Sequence, residues 1–221
     1  VNHRRGRGDQ VQVELAAQAF LNHLQVQQAQ EAAAEAEAQG HGAFHLTGEG
    51  GVGQTQFADG GAKVLERIRK GATPEDMIAM AQAVHGADIA LSAIVLLGAG
   101  GAALTEDHIR GTIAAVNAMQ PEYLSFLTAM IVPTTPLMTW VERGEFQPLT
   151  DRAILEEAQQ MLAGIELRDT LFRMNHVSNM IALGGRLPQD KETLLRQLAA
   201  ILPRAREVVS CVCTEAEGMM L

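Results

Sequence analysis

The chain has 221 residues, 47% hydrophobic, 19% charged and 4% aromatic, with a net charge of −9. This is a globular composition, light on large core anchors, and long enough to bury a sizeable core as one domain. The acidic balance supplies no field for nucleic acid or an anionic membrane, and two cysteines, Cys211 and Cys213, are too few for a disulfide framework.

Residues 1–9 are basic and glycine-rich, and residues 10–39 are crowded with Gln, Ala and Glu. Leu15, Phe20, Leu21, Leu24 and Val26 give only a thin apolar stripe, so a marginal solvated helix pair ending at Gly40 is predicted. Residues 41–61 read as a glycine-rich loop. Residues 1–59 are thus set apart as an atypical segment, poorly ordered or marginally helical. Within it, TGEGGVGQTQ places Gly48, Gly50 and Gly53 in the pattern G-x-G-x-x-G. A phosphate loop also needs a lysine on the β/γ-phosphates, and Gln54 stands in its place while Glu49 would repel phosphate. A plain flexible loop is the better reading.

Beyond residue 60 the punctuation becomes regular. Residues 62–70 form a short helix stopped by Gly71. Thr73-Pro74-Glu75-Asp76 opens the next with a cap, a proline and two acids at the positive end of the dipole. Met77, Ile78, Met80, Ala81 and Val84 line its buried face up to Gly86, with His85 as a C-terminal cation. Residues 89–97 form a buried parallel-type strand, almost continuously apolar. It is the longest apolar run, far short of a membrane span, and no leader pattern precedes it, so a cytoplasmic protein is expected.

A helix over 106–119 follows, capped at Thr105, with Asp107 and His108 in a solvated first turn. Residues 123–132 form a second buried strand. Residues 133–136 break the chain, and 137–143 make a turn of helix whose Trp140 covers a strand edge. Thr150-Asp151 caps a long helix over 152–167, and 190–202 is the last helix, stopped by Pro203. Strand and helix alternate, which is an α/β layout. Met77, Met80, Met119, Met130 and Met138 are core filler.

LLGAGGAA, residues 96–103, follows a strand and fits Gly98-x-Gly100-x-x-Ala103, a permitted dinucleotide fingerprint. The acidic residue expected about twenty positions on is matched only by Glu122, which precedes its strand instead of closing it. TLFRMNHVSNMIALGGRLPQDKETLL, residues 170–195, packs Arg173, Asn175, His176, Ser178 and Asn179 between apolar residues. Each must find a hydrogen-bond partner if buried. Two readings stay open for it: a polar-faced turn of helix and loop, and a site with His176 in a substrate or proton-transfer role.

That last string resembles the FRxNHxSNxxxLxGxLPxDKxxLL ending of a family of radical S-adenosylmethionine proteins described as Fe–S oxidoreductases. AKVLERIRKGATPEDMIAMAQAVHGADIALSAIVLLGAGG resembles the fourth helix and fifth strand of the family's partial barrel. LTEDHIRGTIAAVNAMQPEYLSFLTAMIVPTTPL resembles the next helix and the sixth strand, and WVERGEFQPLTDRAILEEAQQMLAGIEL the linker and C-terminal helix. The likeness runs from residue 60 to 202.

It implies an incomplete (β/α) barrel of radical S-adenosylmethionine type over residues 60–148, with a helical C-terminal extension over 149–221. It also implies reductive cleavage of S-adenosylmethionine to a 5′-deoxyadenosyl radical that abstracts hydrogen from a small-molecule substrate. Leu96, Gly98, Gly100 and Gly101 would then border the cofactor, Ile131, Val132 and Pro133 would lie beside the adenine, and Arg173, Asn175, His176 and Asn179 would form a substrate-side or structural polar cluster.

The family's CxxxCxxC is missing, and Cys211-x-Cys213 supplies too few thiolates for a [4Fe–4S] cluster, so none is expected in this chain. Where the family has GLESG this chain reads QFADGG, and residues 1–59 show nothing of the first three strands. A shifted reading frame upstream would produce such a break. The expectation is a truncated radical S-adenosylmethionine protein, inactive alone. The alternatives are a nucleotide-binding module on a glycine string and a non-catalytic structural or interaction protein.

Overall fold

The computed structural model describes residues 53–212, apart from 69 and 134. The helix pair expected over 10–39 and the phosphate-loop glycines Gly48 and Gly50 lie outside them. The elements in chain order are β1 (Gly53–Phe57), α1 (Ala62–Arg67), α2 (Pro74–Gly86), β2 (Ala90–Leu97), α3 (Gly101–Met119), β3 (Tyr123–Thr128), α4 (Pro136–Glu142), α5 (Asp151–Gly164), β4 (Thr170–Met174), β5 (Leu183–Leu187) and α6 (Lys191–Ile201). They build one five-stranded sheet in the order β1-β2-β3-β4-β5. The first four strands are parallel, and β5 returns antiparallel to β4. This is an α/β fold with an open sheet, in keeping with an incomplete barrel.

Strand order follows chain order, so every crossover between parallel strands steps the same way. Right-handed crossovers then lay the intervening helices against one face of the sheet. The strands record this: Leu91, Ala93, Val95 and Leu97 of β2 are buried, and the alternate residues Ala90, Ser92, Ile94 and Leu96 are only half-buried. On β3, Leu124, Phe126 and Thr128 are buried, while Tyr123 is exposed. β2, expected as a buried parallel-type strand, is buried on one face and half-buried on the other. The core lies between that face and α2, α3 and α5, with Met77, Val116, Met119, Ile154, Met161 and Leu162 among its buried residues.

Local chemistry sets the helices. Thr73 and Asp76 form a reciprocal capping box on α2 with Pro74 behind the cap, and Thr150 Oγ1 accepts from Ala153 N at the start of α5. The start of α3 differs from expectation. The helix begins at Gly101, and Thr105 donates its hydroxyl to Gly101 O one turn back instead of capping.

The larger differences lie at the two ends. Residues 53–57, read as loop, form the edge strand β1, with Gly53 opposite Ala90 and Phe57 opposite Ile94. Residues 170–187, read as part of a helical extension, hold β4 and β5. Thr170, Phe172 and Met174 alternate inward, and the Phe126 and Phe172 rings meet edge-on with centroids 5.1 Å apart. Gly185 lies opposite Phe172, where a Cβ would stand 2.9 Å from Asp190 Cβ. The sheet therefore continues past residue 148.

Candidate functional site at the carboxyl ends of the strands

Parallel sheets present their free backbone groups at the strand carboxyl ends, where loops and helix N-termini meet. Here that edge carries two polar assemblies. The first is buried. His108, read as part of a solvated first turn, is fully buried on α3 and held between two buried carboxylates. Its Nε2 lies 3.0 Å from Asp59 Oδ1, just past β1, and its Nδ1 lies 2.9 Å from Glu157 Oε1 on α5.

Those carboxylates also take the backbone donors at the end of β2: Leu96 N donates to Asp59 Oδ1 at 2.8 Å, and Gly98 N to Glu157 Oε2 at 2.6 Å. Burial by itself would lower the His108 pKa, but the hydrogen bonds and charges of Asp59 and Glu157 overcome it and raise it to about 10. His108 is a cation that neutralises one of the two acids. Asp59 Oδ2 makes no hydrogen bond. Its charge acts on Lys70, whose pKa burial lowers and Asp59 partly restores.

Close backbone approach makes this cluster possible. A Cβ on Gly60 would stand 2.1 Å from Gly111 O, and one on Gly111 would stand 2.4 Å from Gly60 O. Only two glycines let α3 come near enough to place His108 beside Asp59. Gly60 N then donates to buried Thr112 Oγ1 at 3.1 Å.

The second assembly spans β3 and β4. These strands pair over only three residues, ending at Ser125 and Arg173, and then part. Past that point β4 no longer reaches the backbone groups of β3, and side chains of the β4–β5 loop take them instead. Asn179 Nδ2 donates to Phe126 O at 2.7 Å, Thr128 N donates to Ser178 Oγ at 3.2 Å, and Thr128 Oγ1 donates to Asn179 Oδ1 at 3.1 Å. His176 Nδ1 lies 2.9 Å from Ser178 Oγ and accepts from Ser178 N. A cavity of about 220 Å³ remains, lined by Thr128, Met130, Ile154, Ser178, Asn179 and Cys211 among others.

The sequence-predicted residues therefore divide. Ser178 and Asn179 line the cavity but spend their polar atoms on β3. His176 is exposed and braces Ser178, Asn175 is exposed, and Arg173 is exposed on β4 opposite Ser125. Gly98 turns the chain at φ +84°, with its amide taken by Glu157. Gly100 and Gly101 are buried, and a Cβ on Gly101 (φ +57°) would stand 2.9 Å from Gln147 O. Gly101 N donates to Gly98 O and Ala102 N to Gln147 O. Ile131 is buried, and its N donates to Cys211 O at 2.7 Å, while Val132 and Pro133 are half-buried beside it.

A dinucleotide phosphate would need the amides that open α3, and two of them, Gly101 N and Ala102 N, are engaged by Gly98 O and Gln147 O. The strand order also lacks the switch point of doubly wound sheets. Glu122 lies at the opposite end of the sheet, accepting from Leu91 N at 2.7 Å. Among the described residues, no three His, Cys, Asp or Glu side chains are grouped to hold a metal, and no helix is long and apolar enough to cross a membrane.

No family model and no curated protein matches the chain. Among solved structures it is similar to an N-terminally deleted archaeal Elp3 from Methanocaldococcus infernus, at 13% identity and a TM-score of 0.47. That match covers 68% of this chain and 35% of the other, so this chain spans about a third of that protein.

Proposed function

We propose that this polypeptide is the C-terminal part of a radical S-adenosylmethionine type partial barrel which, alone, is a folded scaffold without radical chemistry. One observation carries the reading. The backbone donors at the carboxyl ends of β2 and β3, beside the residues that the resemblance assigns to the adenosyl group, are already bonded within the chain: Leu96 N to Asp59, Gly98 N to Glu157 and Ile131 N to Cys211 O. The residues present do not fit the cofactor. A ligand bonding Gly98 N would take the donor of buried Glu157 Oε2 and leave that carboxylate oxygen unmet, which is unfavourable.

The cysteine set supports the same reading, since Cys211 and Cys213 are the chain's only thiols. Anaerobic reconstitution of the purified chain with iron and sulfide tests it. The expected product is colourless protein with substoichiometric iron. A stable brown protein with about four irons per chain, lost on replacing Cys211 and Cys213 by Ser, overturns the proposal.

A further inference from the structure

The mouth at the carboxyl end of β3 is filled by the chain's own C-terminal segment. We infer that residues 206–212 form a displaceable strap, an internal occupant of that mouth, with Asp151 as its clasp.

The strap runs between the start of α5 and the exit of β3. Asp151 N donates to Val208 O at 2.8 Å and Arg152 N to Arg206 O at 3.1 Å, so the first turn of α5 hydrogen-bonds the strap's backbone. The Asp151 side chain, itself buried, accepts from Arg206 Nε and Nη2 at 3.2 and 3.0 Å, and from Ser210 N and Oγ at 3.1 and 3.0 Å. Further along, Ile131 and Val212 form a parallel bridge, and Cys211 is buried against the cavity.

What holds the strap is polar: the Asp151 carboxylate, the two backbone bonds from α5, and the strap's own Glu207, which pairs with Arg152 and accepts from Thr150 Oγ1 at 3.2 Å. Residues 206–210 are all exposed, Val208 and Val209 by 47% and 42%, and Cys211 is the strap's one fully buried side chain. Cys211 and half-buried Val212 are the strap side chains packed on the core, so the apolar contact given up on lifting it is confined to its last two residues. Segments with few buried apolar contacts open at a small fraction of the global unfolding free energy. Meanwhile the strap covers Ile131 N and one wall of the cavity, at the sheet edge where α/β folds receive ligands. Strap and ligand therefore exclude one another there. Lifting the strap would free Ile131 N but not the Leu96 and Gly98 amides, held by Asp59 and Glu157, so the strap's opening is a property beyond the proposed function.

The test uses the full chain carrying Cys213→Ser, so that Cys211 is the one thiol, and follows its reaction with a maleimide. Asp151→Asn keeps the size of the clasp and removes its charge. It is expected to raise the labelling rate about tenfold or more, the effect of losing a charge-assisted hydrogen-bond set. Amide exchange in β2 and β3 should stay as slow as in the parent. Arg206→Ala, which removes an exposed donor to the Asp151 carboxylate, is expected to act in the same direction. Unchanged labelling in both variants overturns the inference. So does labelling that rises only together with amide exchange in β2, since the strap would then open only with the whole fold.

Discussion

His108 shows how much of this fold rests on single polar residues. A buried imidazolium between two buried carboxylates is secure only while all three are present, because removing one partner leaves an unpaired buried charge. His108→Ala is expected to cost about 3–5 kcal/mol in urea unfolding, and a loss below about 1 kcal/mol, that of a surface pair, would contradict the assignment. The pH dependence has a definite sign. The folded-state pKa is raised from 6.5 to about 10, so the stabilisation is complete below 6.5 and is lost as pH rises through about 10. Unfolding free energy should therefore fall from neutral pH toward 10 in the parent, and this fall should be largely absent in His108→Gln. Equal slopes would show that other groups set the dependence.

At the scale of elements, the parting of β3 and β4 explains a polar string that sequence leaves open. Ser178 and Asn179 stand in for the strand that β4 does not supply, bonding Phe126 O and Thr128 N. Ser178→Ala, which removes the acceptor of Thr128 N, should then cost about 1–3 kcal/mol and speed amide exchange at Thr128 selectively, as read by residue-resolved exchange. Protection at Thr128 equal to the parent's would sink the role. Packing of α3 against the loop after β1 allows no Cβ at either contact glycine. Gly111→Ala, with Gly60 O 2.4 Å from the new carbon, should cost at least about 1–3 kcal/mol, measured by the denaturation midpoint.

These elements differ in how plainly the sequence declares them. α2 and α5 are legible because Thr73 and Thr150 cap apolar helices, and β2 and β3 because their apolar runs are long. β4 and β5 are hidden by Arg173 and by Gly184-Gly185, which make sense only once Phe172 lies opposite Gly185 and Arg173 opposite Gly184. β1 is hidden by GQTQF, a polar string made a strand by pairing with β2. His108 could have been suspected from one signal: on the helix face shared with Gly111, Thr112 and Ala115, a lone titratable residue points inward with that face. Nothing in the sequence names Asp59 and Glu157 as its partners, 49 positions away in each direction.

At the scale of the molecule, a sheet that steps one way from β1 to β4, with its helices on one side and a half-open face on the other, is the architecture of a barrel left unclosed. At its carboxyl edge, where ligands of such folds dock, Asp59, Glu157, Ser178 and the strap hold the Leu96, Gly98, Thr128 and Ile131 amides. We propose that, with these amides engaged, the described residues offer S-adenosylmethionine no site. Calorimetric titration of the purified full chain with S-adenosylmethionine tests it most directly. The account predicts no saturable heat up to about 1 mM, the weak end of affinities for specific binding. Stoichiometric binding with a micromolar dissociation constant, weakened by Gly98→Val, would contradict it.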